Sequence, residues 1–79
     1  MRVLLFAHLK DAAGCAELEF PLAAPVNADG LWQRIETARP ELGRFRRSVR
    51  LAKNCEYAAR DATFTDADEV ALIPPVSGG

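Results

Sequence analysis

The apolar positions of the chain come mostly in short runs separated by polar turns. Val3-Leu4-Leu5-Phe6-Ala7 opens it, bounded by Arg2 and His8, and reads as a strand from Arg2 to His8. A period of two places Val3, Leu5 and Ala7 on one face and Arg2, Leu4, Phe6 and His8 on the other, so both faces are apolar at the centre. Lys10 to Ala16 contains Asp11 and Gly14 and reads as a turn or loose loop. Glu17 to Leu22 then alternates: Leu18, Phe20 and Leu22 face a core, Glu17 and Glu19 face water, and Pro21 marks an edge strand. The two strands are expected to form an N-terminal hairpin.

The pattern next changes from a period of two to a helical one. Asn27 is a candidate N-cap, and Asp29 sits in the first turn, where a negative charge suits the helix dipole. Leu31, Ile35 and Ala38 form the core stripe with Trp32 beside it, and Pro40 ends the helix near Arg39. Gly30 weakens the start, by about 1 kcal/mol against alanine. Leu42 and Phe45 are candidate anchors in a further short turn of helix.

The remaining elements are strands. Ser48 to Asn54 carries Val49 and Leu51, and Lys53 continues their face, so the strand is expected to fray or turn there. Asn54 suits a turn, with Glu56-Tyr57-Ala58 returning. Phe64 is the anchor of a polar turn. Glu69 to Ile73 is the last strand, with Val70 and Leu72 on one face and Ala71 and Ile73 on the other. The order β-β-α-β-β-β predicts an α+β domain, a mixed sheet covered on one face by one main helix. A crossover of this kind sets a later strand parallel to the first. This is the β-grasp, or ubiquitin-like, arrangement, with residues 1–75 as its body and 76–79 as a flexible tail.

At 79 residues only one domain fits, and its core is too small to enclose a deep catalytic pocket. Ten basic and eleven acidic residues balance to −1, which gives no support to nucleic-acid binding. Cys15 and Cys55 form no CxxC pair, and with His8 as the sole histidine they complete no ordinary zinc set. The apolar runs are too short for a signal peptide or a membrane span, so a cytoplasmic setting is expected.

The most specific stretch is the last: Ile73-Pro74-Pro75-Val76-Ser77-Gly78-Gly79. The prolines hold an exit extended. Two glycines without Cβ atoms make a thin end able to enter a narrow site. If the first and last strands are neighbours, Leu4, Phe6, Ala71 and Ile73 form one apolar patch beside this exit, and Pro74, Pro75 and Val76 extend it. Such a patch reads as a docking face for a partner; scattered exposed apolar atoms are the alternative.

The chain resembles the family of molybdopterin synthase small subunits, which are ubiquitin-like sulfur carriers. Three stretches carry the resemblance: Val3 to Ala7; Leu51-Ala52-Lys53-Asn54-Cys55-Glu56-Tyr57, with Lys53 where the family commonly has valine; and Thr65 through Gly79, with Ala67 for the usual glycine. The ending Pro-Pro-Val-Ser-Gly-Gly is the most specific of them. The resemblance implies that Gly79 is the reacting residue and Gly78 gives it access. A separate E1-like enzyme would adenylate the Gly79 carboxylate with ATP, since this chain has no phosphate-binding motif of its own. A sulfurtransferase would then supply sulfur, giving a thiocarboxylate. The carrier would donate that sulfur to cyclic pyranopterin monophosphate on the large synthase subunit, in a heterotetramer of two small and two large subunits. The chain itself would bind no cofactor or metal and would act as a sulfur-donating cosubstrate. A carrier for thiazole or cysteine synthesis, a ubiquitin-like modifier of lysines and an inert binding module remain as alternatives.

Other residues invite weaker readings. His8 has no visible relay partner and reads as structural or solvent-exposed. Cys15 and Cys55 read as buried or incidental thiols. The basic run Arg44, Arg46, Arg47, Arg50 and Lys53 reads either as a solvated surface or as a contact for an acidic partner.

Overall fold

The computed structural model describes residues 1–74. Strand β1 (Arg2–Leu5) is followed by helix α1 (Ala7–Ala13), strand β2 (Glu17–Glu19), helix α2 (Ala28–Ala38) and a 3₁₀ helix (Pro40–Phe45). Strands β3 (Arg50–Lys53), β4 (Glu56–Tyr57) and β5 (Glu69–Ile73) complete the chain. The five strands form one sheet in the order β2-β1-β5-β3-β4. β1 and β5 are parallel, with Val3 beside Val70 and Leu5 beside Leu72, and every other pairing is antiparallel. A mixed sheet with its first and last strands side by side at the centre, and helices on one face, is the β-grasp fold expected from the pattern.

The inner face explains why these residues form these strands. Val3, Val70 and Leu72 are fully buried, and Leu5 nearly so. They meet Leu31, Trp32 and Ile35 of α2, Leu42 of the 3₁₀ helix and Phe64 of the loop before β5. Each such aliphatic side chain contributes about 1.5–3 kcal/mol by leaving water. Asn27 caps α2 as expected, its side-chain oxygen accepting from the Gly30 amide at 2.9 Å. Gly30 has a packing reason: a Cβ there would lie 3.0 Å from the Val26 Cβ. Val26 is tied to Phe64 by a pair of backbone hydrogen bonds of 2.9 and 2.7 Å, which fixes the entry to α2 against the approach to β5.

Five local expectations need correction. The first strand ends at Leu5, not His8, and the expected loop from Lys10 is largely the helix α1. Leu9 of α1 is fully buried, and Gly14 closes the helix in the left-handed region at φ 76° while its amide donates to the Lys10 carbonyl at 2.9 Å. Ala7 and His8 are therefore exposed helix positions rather than strand positions. The stripe of α2 is Leu31, Trp32 and Ile35; Ala38 lies in the last turn and is exposed. The strand expected over Ser48–Asn54 is confined to Arg50–Lys53, and that over Glu17–Leu22 to Glu17–Glu19. Leu22 is buried without being in a strand.

Lys53 occupies an inner-face position beside Val70. Its stem follows the apolar layer and its ammonium leaves it, donating to the Thr63 carbonyl at 2.6 Å and lying 3.8 Å from the Asp68 carboxylate. This is how a lysine is accommodated where an aliphatic residue would simply pack.

Candidate functional site

The outer face of the sheet follows from the same alternation. Leu4 pairs with Ala71, Ala71 with Ala52, and Ala52 with Tyr57, so one apolar row crosses four strands. Phe6 follows β1, and Ile73 ends β5. Both border a concavity of about 370 Å³ that Leu4, Ala52, Cys55, Tyr57, Glu69 and Ala71 also line. Phe6 is 45% exposed and Tyr57 60%, the two large apolar residues most open to water among the described residues. Leu4, Phe6, Ala71 and Ile73, placed together by period-two reading, do share one surface. Pro74 follows directly from Ile73. Pro75, Val76, Gly78 and Gly79 lie outside the described residues.

Several contributors to this surface were missed from the sequence, Cys55 and Glu69 at its border among them. Ala52 and Tyr57 belong to it because the hairpin between β3 and β4 has a two-residue turn, Asn54-Cys55, which aligns Ala52 with Tyr57. Counting alternation back from that turn would have found both. Arg50 is a further one: it pairs with Ile73, and its guanidinium lies over the Tyr57 ring, 4.2 Å from the centroid. Its inclusion depends on the β3–β5 register, which local pattern does not set.

The two ends of β5 differ electrically. Around its start, Arg2 contacts Glu17 at 2.6 Å and Glu69 at 3.1 Å, with Glu19 its register neighbour. The hydrogen bond and charge of Glu17, above all, hold the Arg2 guanidinium protonated beyond its usual range. Behind this group, Asp68 accepts from the Thr65 amide at 2.8 Å and from the Asn54 side chain at 3.0 Å, which keep its carboxyl below the ordinary value. Asn54 also pairs with Glu69 in both directions through its backbone amide and side-chain oxygen. Asp66 is lowered too, first by the Leu22 amide and then by the Met1 amino group. These carboxylates serve the fold at the end of the sheet remote from Ile73.

The other singled-out residues are scattered. His8 stands on exposed α1 with its ring 5.2 Å from that of Phe45. Cys15 and Cys55 are free thiols; Cys15 is half-buried, while Cys55 is exposed, not buried, at the hairpin turn. The basic run disperses: Arg44 stacks on Phe45, Arg46 pairs with Asp29 and Glu36, Arg50 covers Tyr57 and Lys53 donates to the Thr63 carbonyl. Among the described residues, no cluster of three His, Cys, Asp or Glu side chains could hold a metal ion, and no helix is long and apolar enough to cross a membrane.

This arrangement has known counterparts. The model of the ThiS family matches residues 3–79. The molybdopterin synthase sulfur carrier subunit of Chlamydomonas reinhardtii is 36% identical over 81 residues, covering 100% of this chain and 98% of that protein. That of Homo sapiens is 32% identical over 82 residues, covering 100% and 93%. Among solved structures, SAMP1 from Haloferax volcanii superposes with a TM-score of 0.83 at 29% identity, covering 100% of this chain and 98% of that one. A putative molybdopterin converting factor, subunit 1, from Pyrococcus furiosus superposes with a TM-score of 0.76 at 26% identity, covering 95% of each.

Proposed function

The chain belongs to the ThiS family, and on that premise we propose that it is the sulfur carrier subunit of a molybdopterin synthase. The observation that carries this reading is the course of β5. It emerges from the centre of the sheet and brings Ile73 to the rim of an apolar concavity, and the sequence then runs on through Pro74 to Gly78-Gly79. A partner seated on Leu4, Phe6, Ala71 and Ile73, with Pro74, Pro75 and Val76 leading away, receives the chain end in a defined direction. Docking energy gained on this face is then available to orient the reacting group.

The chemistry acts on Gly79. Its carboxylate, with an ordinary pKa of about 3.3–3.7, is ionised at neutral pH and is a poor acyl donor. In the proposed cycle the carboxylate oxygen attacks the α-phosphorus of ATP on a separate E1-like enzyme, and pyrophosphate leaves. A persulfide carried by a sulfurtransferase displaces AMP to give an acyl disulfide, and a second thiol then attacks the sulfurtransferase's sulfur, forming a disulfide with it and releasing the thiocarboxylate. On the large synthase subunit that sulfur is transferred to cyclic pyranopterin monophosphate, and hydrolysis returns the carboxylate. Gly78 keeps the approach slim; an alanine there would place a methyl group in the partner's channel. The carrier is a cosubstrate in this cycle, working in the cytoplasm alongside its partners.

A second reading has one observation behind it, the likeness to SAMP1, a small archaeal modifier protein. There the same activated Gly79 would pass to a lysine amine, forming an isopeptide bond and releasing AMP. Intact mass after incubation with the activating enzyme, ATP and a sulfur donor separates the two. The sulfur-carrier reading expects a gain of about 16 Da, oxygen replaced by sulfur, and conversion of the pyranopterin precursor once the large subunit is added. No gain in mass would refute it, and covalent attachment to lysines without that gain would favour the modifier.

A further inference from the structure

The outer face is apolar in the middle and oppositely charged at its two ends. At the start of β5, Glu17, Glu19 and Glu69 surround the single guanidinium of Arg2, leaving an excess of two negative charges. The apolar row follows. At the exit end, Arg50 stands beside Ile73 and makes no ion pair among the described residues. Four residue steps along β5 separate the two ends, roughly 13 Å. This exceeds the screening length of about 8 Å at physiological salt, so a partner meets each end as a separate charge.

Arg50 is also held in place. Stacked on Tyr57, a residue 60% exposed, its guanidinium has a fixed platform and less conformational freedom to lose on binding. Arginine and tyrosine are the residue types that most often dominate association energies.

We propose that this polarity orients the enzyme that activates Gly79. Its docking surface is an apolar ridge that fills the concavity, with carboxylates meeting Arg50 on the side towards the chain end and basic side chains meeting Glu17, Glu19 and Glu69 on the far side. A partner turned by half a revolution sets like charges against each other at both ends, so only the orientation that sends the chain end into the adenylating site is stable. The inference rests on the preceding reading only for its activation step, which is common to the sulfur-carrier and the modifier alternatives.

The experiment measures AMP formation by the activating enzyme of the same organism as a function of carrier concentration, at low and at physiological salt. Reversing the exit charge, Arg50→Glu, should raise KM by about tenfold or more and leave kcat within about twofold, because a rim charge acts on encounter rather than on chemistry. The increase of KM with salt expected for the wild type should disappear or invert. Glu19→Lys, which tests the opposite end from an exposed edge position, should raise KM in the same way. Thermal melting of each variant establishes folding; should Arg50→Glu fail to fold, Arg50→Gln and Tyr57→Ala replace it, with an expected rise of about threefold or more. Unchanged KM and unchanged salt dependence in the folded variants, with the wild type activated normally, would overturn this inference and leave the carrier function standing. A wild type that is not activated at all would overturn the proposed function, and the inference with it.

Discussion

At the scale of the residue, the hairpin turn shows a cost that the chain carries. Asn54 and Cys55 both have positive φ, 51° and 74°, as a two-residue turn between twisted strands requires. Asn54 suits that conformation and is further held by its bonds to Asp68 and Glu69. Cys55 has a Cβ in a region that costs L residues roughly 1–2 kcal/mol. Cys55→Gly should therefore raise the unfolding free energy by about 1 kcal/mol after the extra backbone entropy of glycine is deducted, read as a higher urea midpoint with unchanged slope. Asp68 gives a pH-dependent counterpart. Its carboxyl titrates lower in the folded chain than in the unfolded one, so it contributes fully above about pH 4 and loses that contribution as pH falls through the folded value. Asp68→Asn should be less stable than wild type at pH 7, and the gap between their urea midpoints should narrow on acidification below pH about 4. A constant gap would show that the loss is steric.

At the scale of the element, α1 is where local pattern misleads. Phe6-Ala7-His8 continues the alternation of β1, which hides the helical spacing of Leu9, Ala12 and Ala13. The usual start signals are also missing: Phe6 provides no side-chain cap, and the first turn has no acidic residue. The chain turns out of the sheet at Ala7, whose φ is 52°, and only the burial of Leu9 in the common core makes so short a helix worthwhile. Leu9→Ala should cost about 3 kcal/mol, the range for emptying a fully buried leucine site, whereas a residue in a loose loop would cost little. Urea denaturation distinguishes the two. By contrast α2 was legible from Asn27 to Pro40, because a cap, a stripe and a proline stop all point to the same helix.

At the scale of the whole molecule, the proposed function makes the body a mount for the chain end. One residue appended after Gly79 changes nothing in the core or on the outer face. It should leave the melting temperature unchanged and abolish the gain of about 16 Da with the activating enzyme. Charging without prior trimming would show that the terminal carboxylate is not the reacting group. The candidate docking face was half legible. Leu4, Phe6, Ala71 and Ile73 follow from alternation along two strands. Ala52, Tyr57 and Arg50 join them only through the pairing of β3 with β4 and β5.

The sequence by itself determined the strand faces, the extent of α2 and the apolar content of β5, because each depends on neighbours within a few positions. The tertiary structure alone decided what lies across from what: the half-buried stem of Lys53 with its ammonium led out to Thr63, the packing of α1 against the core, and the placing of Arg50 over Tyr57 beside the exit. Those outcomes depend on register between segments distant in the chain. Burial of a shared core sets that register, and no local pattern encodes it.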